Sequence, residues 1–221
     1  GGDFNQGINA DNFEFDPKTI DVMLLSHAHN DHSGRIPKLV KDGYEGSIFM
    51  TKGTAGLARL IWEDAFKIMK YNHKKYQSPI LFNPEEIKAA AEHVVGVDYH
   101  EKVDLGDGDF AVFKDAGHIF GASFIEVHVD GKVVAFSGDI GNDNVPILKE
   151  TEQLGEIDIL LCESTYGDRI HETVEERRKI IADLITEGVD RGGSGIITDY
   201  SFERTQELLY RLDELSQMTK E

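Results

Sequence analysis

The chain has 221 residues, enough for one large domain or for one domain and part of a second. Its 23 lysines and arginines and 41 aspartates and glutamates give a formal charge of −18. General attraction to nucleic acid is thereby excluded, although a local basic rim or bound cations could still attract phosphates. The hydrophobic share of 40% can form a buried core, but no apolar run reaches the roughly 18 residues of a membrane-spanning helix. The single cysteine excludes an internal disulfide and no signal peptide is visible, so we expect a cytoplasmic protein.

The first half of the chain alternates predicted strands and helices. Short apolar runs predict buried strands at 20–26 and 47–51, and apolar residues recur with helical spacing over 54–71. Asn83, followed by Pro84 and two glutamates, is typical of a helix start. The alternation predicts an α/β layered fold.

The second half begins with a cluster of predicted strands, in which Asp130 and Gly131 form a two-residue hairpin turn. Cys162, at the end of an apolar run, is interpreted as a packed, inert thiol. Neither end of the chain closes a predicted element, so we expect a piece of a longer protein. The predicted elements are strands at 110–113, 123–129 and 132–137, a buried strand at 157–162, a helix at 173–187, a short strand at 195–198 and a helix at 202–215.

The strongest chemical signal directly follows the first predicted strand. Residues 26–34 read SHAHNDHSG, so His27, His29, Asp31 and His32 stand within six positions. Imidazole and carboxylate groups are ligands that suit zinc, manganese or iron, and a strand end holds them rigidly. The alternative is a polar loop with surface histidines, but four ligand-type side chains at this spacing favour a metal site.

One short loop cannot close a metal site, so further ligands are expected at other strand ends. His118, in AGHIFG, and Asp139, in FSGDIG, each follow a predicted strand and are flanked by glycines. Small neighbours let the backbone approach closely and aim one side chain inward. Singly, each residue could equally be structural, since Gly-Asp is a frequent turn.

Together these six residues resemble the ligand set of the metallo-β-lactamase superfamily. The resemblance implies two divalent metal ions, expected to be zinc, held by these side chains. The implied assignment is one ion on His27, His29 and His118, the other on Asp31 and His32, and a bridge at Asp139.

Further blocks narrow the resemblance to the β-CASP nucleases, of the cleavage and polyadenylation endonuclease type. Residues 162–169 (CESTYGDR), 204–209 (RTQELL) and 32–37 (HSGRIP) are similar to segments of that group. The resemblance implies an α/β fold, a metallo-β-lactamase αββα sandwich that lacks its first strands and C-terminal part. It assigns residues 1–168 to that partial domain and residues 169–221 to the start of a β-CASP cap. In that family Glu163 would orient a catalytic histidine of the cap.

The chain departs from the family at 199–203, where DYSFE replaces the usual Pro-Ser-Phe and a following glycine. Most of the cap, with its catalytic histidine, and the last metal-ligand histidine are absent from the sequence, and His171 does not follow their pattern. We therefore expect an incomplete shell for the second metal, weak or single-metal occupancy, and little activity from this chain.

The implied activity is hydrolysis of RNA phosphodiesters by a hydroxide held between two cations, which lower the pKa of water towards neutrality. Asp31, besides binding metal, would accept a proton or a hydrogen bond from that hydroxide.

One alternative is a small-molecule hydrolase of the glyoxalase II or lactamase type, which needs the six ligands but not the blocks at 163–166 and 204–209. Another is a noncatalytic scaffold. The residues leave open whether cleavage is internal or from an end, whether RNA or DNA is cut, and whether the protein forms oligomers. The remainder of the longer chain is an expected partner.

A basic stretch accompanies the predicted helix at 54–71. It could form a stacking rim for a nucleic-acid strand, or a solvated helix whose last turns carry lysine to suit the helix dipole. The solvated helix is the favoured interpretation. The stretch comprises Arg59, Lys67, Lys70, Tyr71, Lys74, Lys75 and Tyr76.

Overall fold

The computed structural model describes residues 9–142, 145–170, 172–198 and 203–218. His171 and residues 199–202, singled out above, lie outside the described residues. A short 3-10 helix at Pro17–Thr19 precedes the first strand. In chain order the elements are β1 Val22–Leu24, α1 Asn30–Ser33, α2 Ile36–Lys41, β2 Ser47–Thr51, α3 Lys52–Tyr76, α4 Pro84–Glu92, β3 Val94–Val97, β4 Lys102–Gly106, β5 Asp109–Asp115, β6 Ser123–Val129, β7 Lys132–Phe136, β8 Ile159–Leu161, α5 Val174–Asp190 and α6 Arg204–Met218.

The strands form two sheets. The first has three parallel strands in the order β1-β2-β3. The second has five, in the order β4-β5-β6-β7-β8, with antiparallel pairing as far as β7 and a parallel pairing of β8 with β7. This combination confirms the predicted α/β class.

Successive side chains of β2 point to opposite faces of the first sheet, and this alternation separates two core layers. Ile48 and Met50 face a helical layer, where they join the core that contains the fully buried Trp62 of α3. Phe49, between them, instead packs with Val97 and Phe113 in the core between the two sheets. Helices, first sheet and second sheet therefore follow one another as layers, as expected for a metallo-β-lactamase sandwich.

Helix α3 extends to Tyr76, beyond the predicted end at residue 71. Its regular apolar spacing stops near residue 71, but the residues that follow still favour a helix. Thr51 caps its start by accepting a hydrogen bond from the Thr54 amide at 3.1 Å. The last turns are rich in lysine, a good helix former, and the helix ends where Gln77 adopts a left-handed backbone. In α4 the predicted start is confirmed, with Asn83 and Glu86 forming a capping box.

The hairpin turn is also confirmed. Asp130 and Gly131 both have positive φ, and they connect Val129 to Lys132 across the β6–β7 pair. The sequence interpretation missed β3, whose apolar pattern is interrupted by Gly96, and β4, whose pattern is interrupted by Asp104.

Two predictions for the second half of the chain are wrong: the strand at 195–198 and the burial of the strand at 157–162 with its cysteine. No strand forms at 195–198 in the part of the chain that the structure describes, and Ile196 there is 91% exposed. A strand needs a hydrogen-bonded neighbour, which local apolar character does not provide. The strand predicted at 157–162 does form as β8, but Leu160 is 44% exposed and the Cys162 thiol is exposed rather than packed. It lies at the edge of its sheet, where burial is incomplete.

Candidate metal centre

The histidine-rich motif starts in the loop after β1 and enters the short helix α1. His27 is fully buried, and its Nδ1 atom lies 3.2 Å from Ser26 Oγ. Ser33 closes the turn by donating a hydrogen bond from its hydroxyl to the Ala28 carbonyl oxygen at 2.8 Å. The loop is thereby fixed, and the His27 Nε2 atom is directed at the candidate site.

The turns that carry His118 and Asp139 lie against each other because glycine permits it. The Gly141 amide donates to the Ala116 carbonyl oxygen at 2.8 Å, and a Cβ atom at Gly141 would lie 1.8 Å from the Gly117 carbonyl oxygen. Any larger residue at 141 would push the two turns apart.

The Asp139 turn also lies against the first loop. Gly138 has φ of +54°, and a Cβ atom there would be 2.7 Å from the Ser26 side chain. Glycine at this position therefore brings the Asp139 carboxylate close to the histidines.

Four ligand-type side chains converge. His27, His29, His118 and Asp139 each offer an atom within 4.8 Å of the others. The His29 Nδ1 atom is 3.2 Å from Nε2 of His27 and 3.2 Å from Nε2 of His118. Asp139 Oδ2 lies 3.6 Å from His27 Nε2 and 3.5 Å from His118 Nε2.

Asp31 and His32 lie on the other side of the same aspartate. His32 Nε2 is 3.2 Å from Asp139 Oδ1 and 3.7 Å from Asp31 Oδ2. The two oxygens of Asp139 thus face different groups, whereas the Asp31 side chain is 69% exposed. The structure places the four predicted histidine ligands around the Asp139 carboxylate and Asp31 beside His32, and the division of these ligands between two ions stays a prediction.

The donor separations fit a metal ion. In a tetrahedral zinc site with bonds of about 2.0–2.1 Å, neighbouring ligand atoms lie about 3.3 Å apart. Four of the six separations among the three histidine nitrogens and Asp139 Oδ2 are 3.2–3.6 Å, close to that spacing, and all six are within 4.8 Å. Three imidazoles and a carboxylate are also a donor set that divalent transition metals favour.

The electrostatics keep the imidazoles of His27 and His118 in the ligand-competent form. Burial, followed by the proximity of His32, His118 and His29, lowers the pKa of His27 to about 2. Burial also lowers the pKa of His118, with the nearby Asp139 charge acting against it. An imidazole must be unprotonated to bind metal, so the fold prepares both histidines for that role.

Glu163 connects β8 to the Asp139 turn. Its carboxylate accepts a hydrogen bond from the Ile140 amide at 2.6 Å and another from the Thr165 hydroxyl at 2.7 Å. Partial burial would raise the pKa of Glu163, but these hydrogen bonds and the proximity of His118 outweigh it and lower the pKa. Glu163 therefore holds the segment next to Asp139, and the cap-facing role that the resemblance implies stays a prediction.

The sequence interpretation missed the supporting serines. Ser26 lies beside the His27 ring, and Ser137 Oγ accepts a hydrogen bond from the Glu163 amide at 2.9 Å. Each serine directly precedes a motif that was recognised, but serine is too common at strand ends for this position to be informative by itself. Separately, among the described residues no helix is both long and apolar enough to cross a lipid bilayer.

Comparison with curated proteins finds relatives whose names refer to RNA cleavage or processing. The chain is 36% identical over 200 residues to Ribonuclease TTHA0252 of Thermus thermophilus, covering 90% of this chain and 44% of the relative. It is 32% identical to Endoribonuclease YSH1 of Yarrowia lipolytica, covering 91% of this chain and 24% of the relative. It is also 32% identical to the Cleavage and polyadenylation specificity factor subunit 3-I of Arabidopsis thaliana, covering 91% of this chain and 29% of the relative. These relatives belong to the β-CASP RNA-processing nucleases, so the predicted resemblance is confirmed.

The chain spans less than half the length of each of these relatives. A family model for the metallo-β-lactamase superfamily matches residues 1–152, which include all six predicted ligands. Layered sheets, converging histidines and this match agree, and the chain belongs to the metallo-β-lactamase superfamily.

Proposed function

We propose that this protein is a metal-dependent hydrolase that cleaves RNA phosphodiesters, using two divalent ions that we expect to be zinc. The observation that carries the proposal is the group of three imidazoles and one carboxylate with atoms within 4.8 Å of one another. The names of the relatives direct the choice of substrate towards RNA.

The residues of the chain have separate tasks in this proposal. His27, His29 and His118 would hold one ion, Asp31 and His32 the other, with Asp139 shared between them. When bound, the ions would supply Lewis acidity, which lowers the pKa of water and neutralises charge on phosphate oxygens.

Two further residues act on the attacking water and on the position of the Asp139 turn. The exposed carboxylate of Asp31 is available to accept a proton or a hydrogen bond from the attacking water. Glu163 keeps the Asp139 turn in place through the Ile140 amide.

The division of the chain also belongs to this proposal. Residues 1–168 would form the partial metallo-β-lactamase domain and residues 169–221 the start of a β-CASP cap, and a later histidine of the longer chain, beyond the cap, would complete the second metal shell. The cytoplasmic location expected from the sequence rests on composition alone.

The proposal predicts metal-dependent cleavage of RNA. The full-length protein, incubated with end-labelled single-stranded RNA, should cleave the RNA only after a divalent ion is added. Asp139→Ala should abolish cleavage, because the shared carboxylate is lost, and should lower the bound metal measured by elemental analysis.

The same assay separates the alternatives. Glu156→Ala, at an exposed position away from the site, is the control and should cleave like the parent protein. Turnover of thioester or lactam probes without RNA cleavage would instead identify a small-molecule hydrolase. Absence of metal from the purified protein would identify a noncatalytic scaffold.

A further inference from the structure

The second half of helix α3 carries a basic, aromatic surface that the metal centre does not use. Its members are spaced at i, i+3, i+4, i+7 and i+8, so they lie on one face of the helix. We call this surface the lysine–tyrosine face. It consists of Lys67, Lys70, Tyr71, Lys74 and Lys75, all of them exposed.

The lysines of this face have no acidic partners within the described part of the chain. None of the four is in ion-pair contact with a carboxylate, although Glu63 and Asp64 lie one turn before Lys67. Glu63 instead pairs with Arg59. In a protein with 41 acidic and 23 basic side chains, a row of unpaired lysines leaves a local positive potential.

Aromatic rings accompany these charges. Tyr71 is 61% exposed and Tyr76, at the end of the helix, is 62% exposed. The Lys75 ammonium group lies 5.6 Å from the centre of the Tyr71 ring and 4.8 Å from that of Tyr76. Exposed rings interleaved with ammonium groups match the requirements of a single strand, which needs stacking surfaces for bases and cations for phosphates.

The helix dipole does not account for the whole arrangement. It favours Lys74 and Lys75, which lie in the last turn. Lys67 and Lys70 lie further up the helix, where the dipole effect has faded, and the dipole does not explain the exposed Tyr71 next to Lys70.

The position of the helix relates this face to the metal centre. At the start of α3 the Thr54 hydroxyl donates to the Gly121 carbonyl oxygen at 2.8 Å, in the turn that carries His118. Further along, the Trp62 indole donates to the Ser33 carbonyl oxygen at 3.0 Å, next to His32. The lysine–tyrosine face begins about 8 Å and ends about 20 Å beyond Trp62 along the helix axis, at 1.5 Å per residue.

We infer that the lysine–tyrosine face of α3 is a binding surface for single-stranded RNA, separate from the metal centre. It holds the strand through phosphate contacts to the lysines and base stacking on Tyr71. This inference rests on the proposed function for the choice of RNA, but the binding itself requires neither metal nor cleavage.

The test measures binding of the full chain to a fluorescent RNA of about 16 nucleotides by anisotropy, with EDTA present so that no cleavage occurs. The test variant changes the four lysines of the face to glutamine, and the control variant changes four exposed lysines elsewhere. Both carry a formal charge of −22, from −18 and the loss of four positive charges. The control positions are Lys88, Lys102, Lys132 and Lys179.

We expect the test variant to bind at least 10-fold more weakly, with a salt dependence reduced by about 2.8 in the slope of log K against log salt, since each single-strand phosphate contact contributes about 0.7. The control should stay within about twofold of the parent chain. Tyr71→Ala should weaken binding about fivefold or more, whereas Tyr71→Phe should retain it, because the ring remains.

Equal weakening in test and control variants would overturn the inference, as would a parent chain with no affinity for the RNA. Cleavage of an RNA of about 4 nucleotides, which offers few phosphates and bases for the face to hold, tests the proposed function separately. If the parent protein cleaves that short RNA but the four-lysine variant binds the long RNA normally, the proposed function stands and this inference fails.

Discussion

At the scale of single residues, the site depends on side chains that fix other side chains. Asp139 projects its two oxygens in different directions, one to His32 at 3.2 Å and the other to His27 and His118 at 3.6 and 3.5 Å. Such a carboxylate is effective only if its backbone is held still, and Glu163 binds the very next amide. Residues that support ligands in this way commonly change metal affinity 10- to 100-fold when removed.

Removal of the Glu163 carboxylate should therefore weaken metal binding. Glu163→Ala leaves the Ile140 amide without its acceptor, and we expect about 10-fold weaker binding of Co²⁺, followed by its visible absorption. Glu163→Gln should bind Co²⁺ nearly as well as the parent chain, because its amide oxygen can still accept from Ile140. Equal affinity of the alanine variant and the parent would show that Glu163 does not position the turn.

Some residues of the site could be predicted from the sequence and others could not. His27, His29, Asp31 and His32 are adjacent in sequence, so their joint purpose is visible without any fold. Ser137 is different, because its partner Glu163 lies 26 residues away and only the pairing of β7 with β8 brings them together.

At the scale of elements, α3 joins the helical layer to the turn that carries His118. Thr51 is buried and has two tasks, since its hydroxyl accepts from the Thr54 amide and donates to the Gly121 carbonyl oxygen. Loss of the Thr51 hydroxyl therefore removes a buried hydrogen bond as well as the cap, although the Gly121 carbonyl oxygen keeps the Thr54 hydroxyl as a donor.

Thr51→Ala should consequently destabilise the protein more than the corresponding change in α5. We expect a loss of about 2 kcal/mol in the free energy of unfolding for Thr51→Ala, measured by urea denaturation. Thr173→Ala removes an exposed threonine cap at the start of α5, and its expected loss is about 1 kcal/mol. Similar losses in both variants would contradict the role assigned to the Gly121 contact.

Helices and strands were predicted correctly where residues within or next to them set their limits. Strand β6 was placed at its observed bounds because its apolar residues recur up to the hairpin turn at Asp130 and Gly131, and the start of α4 because Asn83 and Pro84 mark it. The strand expected at 195–198 failed because pairing, rather than composition, makes a strand, and no partner lies beside it among the described residues.

At the scale of the whole molecule, the metal centre lies at loops that the two stacked sheets supply. The first sheet contributes the loop after β1, and the second contributes the turns after β5 and β7. Packing of the sheets buries His27 completely. The sequence predicted that these loops meet through its family resemblance, whereas composition and periodicity alone would not have placed His118 beside His29.

Burial of the histidines makes the stability of the metal-free protein depend on pH. The folded pKa of His27 is about 2, against an ordinary value of 6.5, so the unfolded chain binds more protons below pH 6.5. Stability should therefore be full above that value and should fall as the pH drops from 6.5 towards 2.

Urea denaturation in EDTA at about pH 7.5 and about pH 5.5 checks this expectation. The denaturation midpoint of the parent chain should be lower at the acidic pH, and His27→Asn should reduce that difference. His73→Asn, which changes an exposed histidine on α3, should leave it unaltered. An unchanged midpoint in the parent chain would show that His27 does not remain neutral through folding.

The exposed thiol after β8 has a practical consequence. Cys162 is the only cysteine of the sequence and immediately precedes Glu163. A maleimide dye or a nitroxide attached there would report from the neighbourhood of the Asp139 turn without any engineered attachment point. Paramagnetic or fluorescence quenching by added Co²⁺ could then be followed in real time, which would give the distance from the label to the bound ion in solution.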